Sequence, residues 1–295
     1  MKKKNSGYQI TANVVMMLVA VMVVLPFLLL FLSSITDEST LLKNGYSFFP
    51  EKFSLGAYEY IFRSGEKIFR AYGMTILVTV IGTVVNVALS ALFSYPLSLK
   101  NLPGRRVITF FVFFTMLFNG GLVPSYILWS NYVGVKDTIW GLLLPNLLMG
   151  AMNILLIRTY FSTSIPDTLF EAAQIDGASQ VRIFTKIVLP LGKPILVTIG
   201  TFSGLAYWND WTNGLYYISN EKLYSIQQLL MKIMNNIQAM RSSSNAALIG
   251  TGAIDLPGTS IRMAMAVIGI LPIMLIYPFV QKYLVKGVVV GAVKG

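Results

Sequence analysis

The charged positions divide the chain into long uncharged stretches. No Asp, Glu, Lys or Arg occurs in six stretches of 16 to 32 residues, which are 5–36, 71–99, 107–135, 138–157, 194–209 and 263–281. About 20 apolar residues are enough for a helix to cross a bilayer. The pattern predicts an all-α polytopic membrane protein in which residues 1–295 form one transmembrane domain. Its six spans are expected at approximately 12–34, 72–99, 107–130, 138–160, 194–218 and 262–284.

Composition excludes most soluble and catalytic classes. Hydrophobic residues make up 55% of the chain and charged residues 12%, against roughly 25% charged in a soluble domain. Cysteine and histidine are absent, which removes thiol nucleophiles, disulfides, Cys/His metal sites and the usual base near neutral pH. An integral-membrane enzyme would need clustered carboxylates or histidines in its spans, where only Asp210 is found. We therefore predict neither catalysis nor a metal site.

The distribution of the +11 net charge predicts orientation. If the N-terminus is cytoplasmic, the inner segments hold 13 basic and 3 acidic residues, and the outer segments hold 10 and 8. This is the positive-inside pattern, which places both termini in the cytoplasm and gives no indication of a nucleic-acid partner. The apolar stretch at 12–32 is longer than a cleavable signal core. We interpret it as a retained anchor in the cytoplasmic membrane of a bacterium.

The inner segment 162–190 predicts a helical hairpin. Pro166 suits the first position of a helix, and Gly177 suits a left-handed residue that ends it. A second helix from Ala178 would place Val181, Phe184, Ile187 and Val188 on one face, and Pro190 would stop it. Such a hairpin is either an amphipathic element resting on lipid headgroups or a docking element whose small tip residues let a partner approach the backbone.

This segment resembles a known family. Its pattern looks like the EAA loop of ATP-binding-cassette (ABC) importer permeases. The matching residues are Glu171-Ala172-Ala173, then Asp176-Gly177-Ala178, then 187–190 (Ile-Val-Leu-Pro). The end of the last span, 271–283, and the tail 286–295 are similar to the carbohydrate-uptake branch. Within this maltose-permease-like branch they resemble the second permease subunit of transporters for complex oligosaccharides, such as plant cell-wall or alginate-type fragments, and the maltose transporter's own subunit is a more distant relative.

The resemblance implies a type I ABC importer permease that translocates oligosaccharides by alternating access. Its partners would be a second homologous permease, two ATPase subunits, an extracellular solute-binding protein and membrane lipid. The residues that match the motif inherit the role of docking to the ATPase, namely Glu171, Ala172, Ala173, Asp176, Gly177 and Ala178. The tail at 291–295 is a weaker candidate for contact with the ATPase.

The chain lacks a nucleotide site of its own. A phosphate-binding loop needs two glycines at a fixed spacing followed by Lys and then Ser or Thr. The only Gly-Lys pair is Gly192-Lys193, which is followed by Pro194 and has Ile187 in place of the first glycine. ATP and Mg²⁺ are therefore expected on the partner ATPase, with no cofactor on this chain.

Polar and aromatic residues in the spans suggest a substrate pathway. Such residues in hydrocarbon usually face the bundle or a cavity. The pathway candidates are Asn119 in the third span and the run Tyr207, Trp208, Asn209, Asp210 and Trp211 in the fifth. Helical spacing would put Tyr207 and Trp211 on one face. An interfacial aromatic belt with a helix-packing Asp210 is the alternative for the fifth-span run. Each of Asn86, Asn119, Asn146 and Asn153 is more typical of a bond between helices than of a ligand contact.

Two alternatives remain open at the level of function. An importer permease for a non-sugar solute, such as peptides, would have the same topology, and a membrane scaffold without transport would tolerate a charged hairpin tip. The outer amphipathic stretch 226–240 either caps the bundle or offers a docking surface for a binding protein.

Overall fold

A computed structural model describes residues 6–63, 65–242 and 258–292, and most of these lie in helices. Within these ranges, β pairing is limited to an isolated bridge between Thr36 and Phe53. The α-helices are α1 Ser6–Ser34, α2 Glu38–Asn44, α3 Gly56–Phe62, α4 Gly65–Ser98, α5 Arg105–Leu117, α6 Leu122–Ile127, α7 Trp140–Leu143, α8 Ala151–Ser164, α9 Asp167–Ile175, α10 Gln180–Ile183, α11 Leu189–Leu191, α12 Lys193–Trp208, α13 Thr212–Tyr217, α14 Ile226–Ser242 and α15 Thr259–Ala292. Two π-helices, Leu128–Tyr132 and Phe184–Val188, and a 3₁₀ turn, Glu221–Leu223, complete the set, and the all-helical prediction is confirmed.

Within the described ranges, fewer than six helices are long and apolar enough to cross a membrane. Among the described residues, three qualify singly, within α1, α4 and α15. Two bent pairs raise the number to five: α5 with Leu122–Tyr132, at 110°, and Gln180–Leu191 with α12, at 76°. A six-span topology therefore stays a prediction.

Three predicted spans are interrupted. The third breaks at 118–121, the fourth at 144–150 and the fifth at 209–211. Gly120-Gly121, Pro145-Asn146 and Asn209-Asp210 occupy these breaks, and such residues favour turns over continuous helix. The predicted spans at 107–130, 138–160 and 194–218 are therefore not continuous helices, and their assignment as spans stays a prediction.

The chain divides into two compact units, and the first comprises residues 1–68 and 230–274. In this unit the Glu38 carboxylate accepts hydrogen bonds from Thr259 N (2.8 Å), Ser260 N (2.8 Å) and Ser260 Oγ (2.8 Å). Desolvation alone would raise the pKa of Glu38, but these hydrogen bonds outweigh it and hold the pKa below its ordinary value. Glu38 thus caps the start of α15.

The second unit comprises residues 69–229 and 275–295. Its main apolar cluster joins residues of α4, α8, the α9–α11 hairpin and α12, and its largest fully buried members are Phe161, Ile157, Ile183, Ile199 and Val188. Because one cluster includes both the hairpin and parts of three predicted spans, the hairpin is packed into the body of this unit.

Candidate functional site

The turn of the hairpin forms as the sequence predicts. Gly177 has φ = 72° and lies in the left-handed region, where a residue with a side chain would be strained. Its N–H donates to Gln174 O, and Ala178 N donates to Ala173 O at 2.9 Å. These bonds satisfy the last carbonyls of α9. The next helix begins after Ser179, whose hydroxyl accepts from Arg182 N.

The two boundary prolines behave differently from expectation. Pro166 precedes the first helical residue, Asp167, and has an extended ψ of 136°. Pro190 does not stop the second helix, which continues through it to Leu191. Pro190 is tolerated because it follows a π-helical segment, Phe184–Val188, in which the usual i→i−4 bonds are already replaced by i→i−5 bonds.

The EAA motif divides between the surface and the core. Glu171, Ala172, Asp176 and Gly177 are exposed and Ala178 is half-buried. Ala173 is buried in the main apolar cluster. One side of α9 thus holds the hairpin in place while the other side and the turn face outward.

Three large apolar side chains surround this exposed tip. Leu169, Ile175 and Val181 are 41%, 86% and 72% exposed. The prediction that Val181 lies on the packed face is therefore wrong, and Ile183 is buried in its place. Ile183 and Val188 are five residues apart, which matches the wider π-helical turn between them better than an α-helical turn. The tip is an apolar surface around small residues.

The base of the hairpin is bound to the end of α4. Tyr95 donates its hydroxyl to Gln180 Oε1 at 2.7 Å, and its ring centroid lies 5.2 Å from that of Phe184. Lys100 forms an ion pair with Asp167. A displacement of the tip would therefore be transmitted to α4 through these contacts.

The predicted pathway run in the fifth span divides at Asn209. Tyr207 and Trp208, at the end of α12, are 2% and 6% exposed. Tyr207 donates to Leu143 O at 2.9 Å, and the ring of Trp208 lies 6.4 Å from that of Tyr72. The break after Trp208 puts Tyr207 and the 41% exposed Trp211 in different environments, so the expectation that they share a face is wrong.

The polar residues of the break are arranged around a helix start. Asp210 accepts hydrogen bonds from Thr212 N and Asn213 N, both at 3.1 Å, and so caps α13. Asn209 is exposed, and its amide donates to Leu205 O. Asn209 and Trp211 are the members of the run whose side chains are open to a ligand.

Asn119 lies in the break of the third span. It is exposed, and its side-chain oxygen accepts from Gly121 N at 2.8 Å. Asn119 thus lies in an exposed turn that is far along the chain from the fifth-span run.

The break of the fourth span is held by side chains from three other helices, α12, α13 and α4. The carbonyl of Leu143 accepts from Tyr207, that of Pro145 from Asn213 at 2.9 Å, and that of Leu147 from Asn86 at 2.7 Å. Backbone groups without internal partners must be satisfied in this way inside a membrane. Sequence reasoning missed this arrangement, although Pro145 was a signal that the helix breaks.

Polar residues also join the helices beside this break. Asn86 Oδ1 accepts from Ser203 Oγ at 2.8 Å and from Asn153 Nδ2 at 3.3 Å. These three side chains belong to α4, α12 and α8. The prediction that Asn86 and Asn153 form bonds between helices is confirmed.

The outer amphipathic stretch packs at its start against the end of the fifth span. Ile226 is fully buried, and its N–H donates to Thr75 Oγ1 at 2.8 Å. Gln228 donates to Gly214 O and Ile218 O. These contacts favour the capping interpretation for the first turn of α14. Ile237 falls outside the described side chains.

Among the described residues, no cluster of three or more Asp or Glu side chains is suited to hold a metal ion. The tail candidate at 291–295 lies largely outside it, since the structure describes that segment only to residue 292.

Comparisons with known proteins identify related chains. Residues 87–290 match the family model for "binding-protein-dependent transport system inner membrane component". The polygalacturonan/rhamnogalacturonan transport system permease protein YtcP of Bacillus subtilis (strain 168) is 36% identical over 99% of this chain and 100% of its own length. Protein LplC of the same organism is 34% identical over 94% of this chain and 91% of its own length.

A solved structure shares the fold. A chain from the crystal structure of a bacterial ABC transporter involved in the import of the acidic polysaccharide alginate is 28% identical. It aligns with a TM-score of 0.77, covering 96% of this chain and 98% of that one.

Proposed function

The chain belongs to the family of binding-protein-dependent transport system inner membrane components, and we propose that it is a permease subunit of a bacterial ABC importer for oligosaccharides. The observation that carries the proposal is the exposed EAA tip on a buried base. Ala172 and Gly177 are exposed, whereas Ala173 is buried in the same cluster as Phe161 of α8 and Ile199 of α12.

The tip needs a partner that covers it. Leu169, Ile175 and Val181 are exposed on an end of the molecule that the charge pattern assigns to the cytoplasm. Apolar surface of this kind marks a site of protein contact, and small Ala172 and Gly177 admit close approach of another backbone. We assign the partner as an ATPase subunit, one of two in the assembly, which carries the ATP and Mg²⁺ that this chain has no loop to bind.

The contacts of the hairpin give a route for coupling. ATP binding would bring two such hairpins together as the ATPase dimer closes. Tyr95 and Gln180 join the hairpin to α4, and the shared apolar cluster joins it to α8 and α12. Movement of the hairpin would therefore reorient the helices around the substrate pathway so that the pathway opens toward the outer side. ATP hydrolysis would then return the helices to the inward-open arrangement. This is alternating access driven in trans.

Oligosaccharides are the proposed substrate class because of the names of related permeases and the chemistry of the exposed residues in the fifth-span break. YtcP transports polygalacturonan/rhamnogalacturonan, and AraQ of Bacillus subtilis, 25% identical, transports arabinooligosaccharides. Sugars bind to aromatic faces together with amide groups, and exposed Trp211 and Asn209 offer both. An extracellular solute-binding protein would deliver the oligosaccharide, and a second homologous permease would complete the pathway. Both termini would lie in the cytoplasm, with six spans in the cytoplasmic membrane.

Co-purification tests the coupling surface. We would tag the full chain, extract it from native membranes in mild detergent and identify its partners by mass spectrometry. The native chain should recover a second permease and an ATPase. Ile175→Glu should lose the ATPase and keep the permease, because it places a charge in the exposed apolar tip.

Phe49→Glu is the matched control. Phe49 is 88% exposed, close to the 86% of Ile175, but lies in the loop assigned to the outer side. It should leave ATPase recovery unchanged. Recovery of the ATPase with Ile175→Glu at the native level would contradict the proposed docking surface.

A further inference from the structure

A pocket with four basic residues opens beside the hairpin. It has a volume of about 680 Å³ and is lined by Lys100, Leu102, Gly104, Arg105, Arg106, Thr109 and Arg158. The residues come from three places, namely the turn between α4 and α5, the start of α5 and the middle of α8. They belong to one compact unit.

The positive charge of this pocket is only partly balanced. Lys100 is paired with Asp167. Arg158 Nε donates to Leu97 O at 3.3 Å, which uses one of the five guanidinium N–H donors. Within the described ranges, no acidic side chain forms an ion pair with Arg105, Arg106 or Arg158. Like charges that share a pocket repel one another, so an anion bound between them would be stabilised.

The backbone at the pocket adds to the same preference. Gly104, with φ = 72°, is the residue before α5, and no side chain caps that helix. The N–H of Arg105 donates to Leu102 O, and the 13-residue helix α5 directs the other N–H groups of its first turn and the positive end of its dipole toward the region of Arg105 and Arg106. Three guanidinium groups and these N–H groups are suited to phosphate oxygens.

The helix below the pocket is exposed and apolar. Phe110, Phe113 and Leu117 follow Arg106 at spacings of four, seven and eleven, which keeps them on one side of α5. They are 59%, 45% and 63% exposed. An anion in the pocket that also carried acyl chains would place these chains along this side of the helix.

We propose that this pocket binds the phosphate of an anionic phospholipid from the cytoplasmic leaflet. Cytoplasmic leaflets are rich in anionic lipids, which basic sites at the ends of spans attract. The proposal rests on the predicted orientation of this end of the chain but not on transport. Lipid binding and sugar uptake can therefore fail independently in experiments.

A lipid titration tests the site. The full chain in mild detergent would be titrated with phosphatidylglycerol or phosphatidylcholine, and retained lipid measured by native mass spectrometry. Phosphatidylglycerol should bind more tightly. Arg106→Gln and Arg158→Gln should each weaken it about fivefold, the value expected for removing one basic residue near anionic lipid. Arg106→Lys should retain most of the affinity and shows that the variant protein folds.

Arg182→Gln is the matched control, since Arg182 is an exposed arginine that does not line the pocket. It should leave the affinity unchanged. Equal affinity for the two lipids, or unchanged phosphatidylglycerol binding in a chain with both pocket substitutions, would overturn the proposal. Inorganic phosphate that displaces phosphatidylglycerol at equal concentration would assign the site to soluble phosphate. If the chain with both pocket substitutions lost the co-purifying ATPase but kept its bound lipid, the pocket would be assigned to protein contact instead.

Discussion

The hairpin tip and the fifth-span break use small and polar residues in opposite ways. At the tip, Ala172 and Gly177 are exposed and the surrounding apolar side chains are uncovered. At the break, Tyr207 and Asn213 are buried, and their polar atoms bind backbone carbonyls of the fourth span. Both regions stand out in the sequence, but the tip exposes its small residues, whereas the break buries Tyr207 and Asn213 and leaves Asn209 and Trp211 exposed. Inside a membrane, polar side chains beside a helix break are needed as hydrogen-bond partners for the backbone groups that the break leaves unpaired.

The largest expected effect concerns the packed region. A Cβ on Gly82 would lie 2.4 Å from the ring of Tyr207, so Gly82→Ala forces that ring away from Leu143 O. Overpacking of this kind costs about 1–3 kcal/mol or more. We expect a marked fall in the Tm of the detergent-solubilised chain.

Gly200→Ala provides the comparison, because a Cβ there meets Val87 Cγ2 at 3.6 Å, an ordinary contact. Its Tm should be unchanged or slightly raised. Equal Tm values for both variants would show that the packing of Tyr207 against Gly82 does not stabilise the break in the fourth span.

The next effect concerns the tip. Nothing lies within 4 Å of a Cβ built on Gly177, so substitution acts through its left-handed backbone, at roughly 1–2 kcal/mol for an ordinary residue. Gly177→Val should reduce uptake of radiolabelled oligosaccharide in cells, whereas Gly177→Asn, which tolerates this conformation, should retain more. If both variants lose uptake equally at equal membrane abundance, side-chain size at the docking surface decides instead.

A third pair separates stability from binding. Tyr207→Phe leaves Leu143 O without its donor and should lower the Tm, by an amount matching the roughly 0.6–2 kcal/mol of hydrogen bonds between membrane helices. Trp211→Ala removes an exposed ring and should raise the KM for uptake with little change in Tm. A raised KM in Tyr207→Phe with an unchanged Tm would reverse the assigned roles.

The smallest effect concerns Glu38. Its folded-state pKa is lowered from 4.5, so the stability it contributes is fully present above pH 4.5 and is lost as pH falls through the lowered value. The Tm of the native chain should therefore fall below pH 4.5 more steeply than that of Glu38→Gln. Parallel Tm curves for the two proteins between pH 6 and pH 3 would contradict this cap.

The sequence predicts the hairpin better than the span interiors, for physical reasons. Gly177 requires a left-handed turn that few other residues adopt, so the end of α9 follows from local chemistry. The burial of Ile183 in place of Val181 does not, because it depends on a π-helix in the packed hairpin. The bond from Asn86 to Leu147 joins positions 61 apart in the chain. Periodicity along a single helix carries no information about such a partner.

Site-directed cross-linking tests the docking of the tip most directly, because the chain contains no cysteine. Ala172→Cys places a thiol on the exposed side of α9, and Ala173→Cys places one in the apolar cluster. In native membranes we predict that position 172 cross-links to an ATPase subunit and that position 173 does not. Cross-linking at neither position, in a chain that still co-purifies with an ATPase, would contradict the account.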